Sequence, residues 1–269
     1  MAVMALMAAG IITFGVSTGF AMDSAETGLD DVIHLDMALE SVDDMYSGCK
    51  DNMKSKVLNE FLQNEKNRDS NFKKAWEMAE KKKFTDLEKE QAMAINVYTR
   101  EIPNVYLDFN KAVRTKKSKY QTKFRYHTLH FFLTDALQTL NACIPDAKRC
   151  PTVYRRTNCY FSQDVLNKGI RFGSFTSSSM QKYPSSVKFG NKSCFEIVTC
   201  SGADITKYSV LKGAENEVLI PPYEVFKVTE IKRRSEQKDL PCEVVYKVKS
   251  TGVKSNTNCA FFPKAVTQI

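Results

Sequence analysis

The apolar pattern of this chain changes period once, near Cys150. Before that point, residues from about 37 to 148 read as helices. Phe72, Ala75, Trp76 and Ala79 fall on one face of Phe72–Glu80, and Glu88–Val97 continues in the same manner. Tyr126–Ala142 puts Leu129, Phe132, Leu133, Ala136 and Leu140 at core spacing, which makes Trp76 and the aromatic stripe core residues rather than a cofactor box. After Cys150, short β-rich runs alternate with turn residues. They are Thr152–Tyr154, Ile170–Phe172, Cys194–Val198, Glu217–Ile220, Val225–Val228 and Cys242–Val248. A helical block followed by a strand block predicts an α+β fold, in which a helical N-terminal half packs on a mixed or antiparallel β-sandwich core with a cleft between them.

The 269 residues suit one or two domains, and a formal net charge of +8 makes the surface basic. Lys81-Lys82-Lys83 and Lys116-Lys117-Ser118-Lys119 are not interleaved with aromatic residues, so solvated surface is expected there and no nucleic-acid partner. Met1 to Met22 carries no charged side chain, and Gly19-Phe20-Ala21 supplies small residues ahead of a cleavage point. A signal peptide is therefore expected over residues 1–21, and a single secreted domain over residues 22–269. No second membrane-spanning stretch follows, and the C-terminal segment is too short and interrupted for a lipid-anchor signal, so the expected product is soluble. All eight cysteines lie after the leader, and an even count in an exported chain predicts a disulfide framework. There is no Cys-x-x-Cys pair, and His34, His127 and His130 lack zinc-site spacing, so no metal is expected. Asn191-Lys192-Ser193 is a glycosylation sequon, usable in the secretory pathway.

Three segments of the strand-rich half carry candidate chemistry. Glu215 and Glu217 stand two apart ahead of Val218-Leu219-Ile220-Pro221-Pro222; on an extended strand they would project to one side. Paired acids raise one another's pKa, a common way to make a general base or a charge stabiliser, although a solvated turn would read the same. Val153-Tyr154-Arg155-Arg156 puts a guanidinium on a strand, suited to clamping phosphate oxygens or to a surface salt bridge. Phe172-Gly173-Ser174-Phe175-Thr176-Ser177-Ser178-Ser179 is a hydroxyl cluster that can orient a ligand or end a strand.

In this order (Arg, then Phe-x-Ser-x-Ser, then Glu-x-Glu) the chain resembles the vertebrate ecto-ADP-ribosyltransferases. These are the arginine-specific branch of the cholera-toxin-like superfamily. The resemblance covers nearly the whole mature chain. Asp43-Asp44-Met45-Tyr46-Ser47-Gly48-Cys49 is similar to the family's opening motif, and Ala75-Trp76 and Val97-Tyr98-Thr99 match its helical landmarks. Cys150-Pro151-Thr152-Val153-Tyr154-Arg155 and Glu217-Val218-Leu219-Ile220-Pro221-Pro222 match its catalytic strands. The resemblance implies an NAD-binding cleft and transfer of ADP-ribose from NAD, as co-substrate, to arginine side chains of extracellular or surface proteins by a monomer. NAD glycohydrolysis and a non-catalytic secreted binding protein are the alternatives. It implies that Arg155 holds the NAD phosphates and that Ser177 positions the ribose and the catalytic acid. Glu217 would bind the ribose 2′-hydroxyl and stabilise an oxocarbenium-like cation, Glu215 would engage the incoming guanidinium, and Tyr98, Ser174 and Ser209 would contact NAD. Ser174 stands where relatives often carry glutamine, and Arg156 where they usually carry glycine. The same resemblance implies Cys49–Cys259 and Cys150–Cys200 disulfides, and leaves Cys143, Cys159, Cys194 and Cys242 open.

Overall fold

The computed structural model describes residues 32–211 and 216–263. The expected signal peptide and Glu215 lie outside the described residues. A short strand β1 (Val32–Ile33) leads into an irregular stretch, and then the helices begin. The first runs from α1 (Lys50–Lys56) through a π-helical turn (Val57–Phe61) into α2 (Leu62–Arg68). It is followed by α3 (Ser70–Glu80), α4 (Lys89–Tyr98), α5 (Tyr106–Thr115) and α6 (His127–Ala142). Local chemistry sets their starts. The Asp69 carboxylate accepts from Phe72 N at 2.9 Å, capping α3. Glu65 on α2 accepts from the backbone N–H groups of His127 (2.6 Å) and Thr128 (3.1 Å), satisfying the first donors of α6 from across the bundle.

The strand block is β2 (Thr152–Thr157), β3 (Tyr160–Phe161), β4 (Gly169–Ile170), β5 (Thr176–Ser179), β6 (Ser193–Val198), β7 (Ala203–Asp204), β8 (Glu217–Ile220), β9 (Glu224–Arg233) and β10 (Val244–Val253). β1 pairs with β3; the other eight form a mixed sheet in the order β4-β9-β10-β6-β2-β5-β8-β7, in which only β10 and β6 run parallel. The join between its two halves is narrow, since β2 and β5 share a single register pair, Tyr154 with Ser179. Two cores flank the sheet. The helical side packs Trp76, Tyr98, Phe109, Phe132 and Leu137 against Phe175, Leu219 and Ile205. Val153, Phe195, Val218, Phe226 and Tyr246 fill the other side. The α+β expectation therefore holds, and Trp76 is core.

Three expectations change. The segment from 37 to 49 is not helical, because its acids are used elsewhere. Asp43 accepts from the backbone N–H groups of Asn256 (2.7 Å) and Thr257 (2.9 Å) and from Arg171 Nη1 (2.5 Å), while Asp44 accepts from Cys259 N (2.9 Å) and Tyr120 Oη (3.0 Å). The strand expected over Ile170–Phe172 ends at Ile170, since Arg171 turns its guanidinium inward to Asp43 and to the carbonyls of Met37, Ala38 and Lys254. The disulfide framework is also incomplete. Cys49–Cys259, Cys150–Cys200 and Cys194–Cys242 form, whereas Cys143, exposed, and Cys159, buried, form none. Among the described residues no helix is long and apolar enough to cross a membrane.

Cys49–Cys259 spans a sequence separation of 210 and fastens the strand block to the helical block. Replacing both residues by alanine is expected to lower unfolding free energy by about 3–5 kcal/mol, the loop-entropy magnitude, read as a lower midpoint in urea at unchanged slope.

Candidate active site

Arg155 sits mid-strand on β2, where the backbone pairs with Phe195 of β6 and places the side chain in the interior, 4% exposed. Its Nη1 donates to the Ser177 carbonyl of β5 at 2.6 Å. The guanidinium thereby bridges the narrow join of the sheet. Burial, eased by the Tyr98 phenol and deepened by the nearby Arg114 guanidinium, pushes the Arg155 pKa down to about 10, so the group stays charged at neutral pH.

β5 is made of Thr176, Ser177, Ser178 and Ser179, all buried. Its hydroxyls take over work that larger side chains could not fit into. Ser178 Oγ donates to the Val218 carbonyl at 2.9 Å. Ser179 is the direct cross-strand partner of Glu217, and Ser177 lies two residues along the same face. Glu217 opens β8 and is 3% exposed; Ser209 Oγ lies 3.4 Å from its Oε2. β8 starts at Glu217, and Asn216 has φ 42°, so the residue between the two glutamates is left-handed rather than extended. Glu215 itself lies outside the described residues.

The end of α4 holds this arrangement from the helical side. Tyr98 Oη donates to the Phe175 carbonyl at 3.1 Å and accepts from Asn110 Nδ2 of α5 at 3.1 Å. Burial raises the phenol to about 12, with the Glu217 carboxylate adding to the shift and the Ser177 hydroxyl beside it opposing. Tyr98 therefore remains a proton donor. Thr99 Oγ1 accepts from Val210 N (3.0 Å) and Asn96 Nδ2 donates to the Tyr208 carbonyl (3.2 Å), so α4 grips the segment that carries Ser209 toward Glu217.

Ser174 accepts from Arg114 Nη2 at 3.0 Å, so the position that departs from the family's glutamine is tied to a second guanidinium beside Arg155. Arg114 was not singled out in the sequence, although Tyr106, Phe109 and Val113 of its helix have core spacing and all are buried. Arg156 faces away from Arg155, as alternation on β2 requires, and donates from Nη1 to the Gly190 carbonyl at 3.2 Å. Of the residues expected to act together, Arg155, Ser177, Glu217, Tyr98 and Ser209 converge. Ser174 borders them through Arg114. His127 and His130 are buried in α6, where burial first of all pushes them down to about 3 and about 4; both stay neutral in the core. Among the described residues no His/Cys/Asp/Glu cluster has the makings of a metal site.

Comparison with known proteins identifies the family. The family described as NAD:arginine ADP-ribosyltransferase matches residues 35–248. NAD(P)(+)–arginine ADP-ribosyltransferase 1 of Gallus gallus is 34% identical over 236 residues, which is 83% of this chain and 73% of that protein. T-cell ecto-ADP-ribosyltransferase 2 of Mus musculus is 36% identical over 258 residues, 90% of this chain and 82% of that protein. A solved structure of a mutant of the eucaryotic mono-ADP-ribosyltransferase ART2.2 in complex with NADH is 31% identical, covers 85% of this chain and 99% of its own, and aligns with a TM-score of 0.67. The strand that bears Arg155, the serine strand β5 and the strand opened by Glu217 all fall within the matched region, and the chain belongs to the NAD:arginine ADP-ribosyltransferase family.

Proposed function

We propose that this chain transfers ADP-ribose from NAD to arginine side chains of extracellular proteins, releasing nicotinamide. The observation that carries the proposal is the convergence of three buried polar groups on three strands of one sheet. Arg155 of β2 is locked to Ser177 of β5, and Glu217 of β8 pairs across from Ser179. Glu217, 3% exposed, sets a carboxylate in the interior of this arrangement, where it can stabilise developing positive charge.

In this reading Arg155, its fork fixed by the Ser177 carbonyl, clamps the NAD phosphates, with Ser174, Tyr98 and Ser209 as further contacts. Glu217 accepts a hydrogen bond from the ribose 2′-hydroxyl. As the bond between ribose C1′ and nicotinamide breaks, its electron pair leaves with nicotinamide and the ribose becomes oxocarbenium-like. The Glu217 carboxylate stabilises that cation, and Ser177 orients ribose and acid. A guanidinium nitrogen of the acceptor attacks C1′ and gives up its proton, for which Glu215 is the proposed acceptor. The three disulfides accord with an oxidising compartment, and relatives such as T-cell ecto-ADP-ribosyltransferase 2 of Mus musculus carry the prefix ecto in their names. Export as a soluble product is part of the proposal.

The test is transfer of labelled ADP-ribose from NAD to agmatine. Glu217→Gln is expected to lower the rate by about 10²–10³-fold, the usual effect of removing one transition-state stabiliser. Full transfer by that variant, or none by the wild type, contradicts the assignment. Glu215→Gln is expected to suppress transfer to agmatine while nicotinamide release to water persists; equal loss of both refutes the role given to Glu215.

A further inference from the structure

A chain of buried hydrogen bonds runs through the helical core, and the proposed reaction does not use it. His130 Nε2 lies 3.1 Å from the Val42 carbonyl, and its Nδ1 lies 2.7 Å from Tyr46 Oη. Tyr46 Oη lies 3.2 Å from Tyr120 Oη, which lies 3.0 Å from Asp44 Oδ2. Asp44 Oδ1 accepts from the backbone N–H groups of Tyr46 (2.8 Å) and Cys259 (2.9 Å). All four side chains are buried. One aromatic ring separates the chain from the active site, since the His130 ring meets Phe175 edge-on at 5.4 Å and the Phe175 carbonyl accepts from Tyr98.

The chain is one hydrogen short. A carbonyl only accepts, so His130 carries its proton on Nε2, and the neutral ring leaves Nδ1 bare. Tyr46 therefore donates to Nδ1. Burial raises both phenols well above their usual range, so each keeps its single proton. Tyr120 then has one hydrogen for two acceptors, the Tyr46 oxygen and the Asp44 carboxylate. With Asp44 ionised, one of these contacts sets lone pairs against lone pairs. A proton on Asp44 Oδ2 removes the conflict. Asp44 then donates to Tyr120, Tyr120 to Tyr46, Tyr46 to His130 and His130 to Val42. The neighbouring charges do not supply the missing donor. Arg171 is bonded to Asp43, whose charge opposes ionisation of Asp44, and Lys50 is bonded to Asp135. Glu65 faces Tyr46 and is occupied by the first N–H groups of α6. His127, which faces His130 and Lys56, stays neutral. Burial, opposed by the hydrogen bonds from Cys259, Tyr46 and Tyr120, raises the Asp44 pKa to about 6.

We infer that Asp44, Tyr120, Tyr46 and His130 form a proton-operated latch, in which Asp44 takes up one proton from solvent and the completed chain tightens the closure of the Cys259 segment over the helical core. Asp44 binds that proton more tightly in the folded chain than in the unfolded one. Its contribution to stability is therefore present in full below the ordinary carboxylate range and is lost as pH rises through about 6.

Asp44→Asn tests the latch, because its carboxamide accepts from the two backbone N–H groups and donates to Tyr120 at every pH. Comparing thermal unfolding of wild type and Asp44→Asn from about pH 5 to about pH 8 cancels the titrations of Glu65, His127 and His130. Across that range the variant's midpoint is expected to gain on the wild type by about 2–4 °C, the shift that one hydrogen bond gives in a domain of this size. The gain is centred near pH 6. In Tyr46→Phe, Tyr120 has one acceptor and ionised Asp44 is satisfied. Its carboxyl, followed by carbon NMR, is expected to titrate about one pH unit lower than in wild type. A difference between wild type and Asp44→Asn that stays flat with pH, or an Asp44 titration unmoved in Tyr46→Phe, overturns the latch.

Discussion

The hydrogen bond from Arg155 to the Ser177 carbonyl is the contact on which the site depends. β2 and β5 share one register pair, so the backbone ladder alone holds the two halves of the sheet together at a single point. A buried guanidinium that donates across that join adds a charge-assisted bond of the strength of roughly 1.5–3 kcal/mol. It also costs desolvation, visible in the lowered pKa of Arg155. An arginine retained at such cost fits a group that serves both the frame and a ligand. A lysine would keep the charge and lose the fork.

A second constraint keeps the helical half against the sheet. The Asp43–Asp44 pair reads as a linear motif, yet its meaning is three-dimensional. Asp43 gathers the 256–257 backbone and Arg171, and Asp44 gathers Cys259 and Tyr120. With the Cys49–Cys259 bridge beside them, both ends of the described chain are closed over the helical core. The end of α4, which carries Tyr98 and Thr99, is thereby held in register with the segment before Glu217.

The strands bearing Arg155 and Glu217 were legible because apolar residues alternate or run beside the charged one, and the strand expected over Glu217–Ile220 has those bounds in the structure. β5 was not legible as a strand. Thr176–Ser179 has no apolar alternation, since both faces are buried and hydroxyls satisfy neighbouring carbonyls. Helix α5 had a readable signal in Tyr106, Phe109 and Val113, and with it Arg114 could have been placed near Arg155. Residues 37–49 misled because acids and small residues suit helices and turns alike, and only contacts more than 200 residues away decide for turns. The pairing of Cys194 with Cys242 likewise follows from β6 and β10 lying side by side, which spacing along the chain does not encode.

The role of Arg155 is tested most directly by the affinity for NAD, measured by calorimetry in a Glu217→Gln background, where turnover is suppressed, with and without Arg155→Lys. If Arg155 braces the join and clamps the phosphates, the lysine variant loses NAD affinity by about tenfold or more, a penalty of about 1.4 kcal/mol or greater, and its melting midpoint falls as well. Unchanged NAD affinity in a folded Arg155→Lys protein would contradict it.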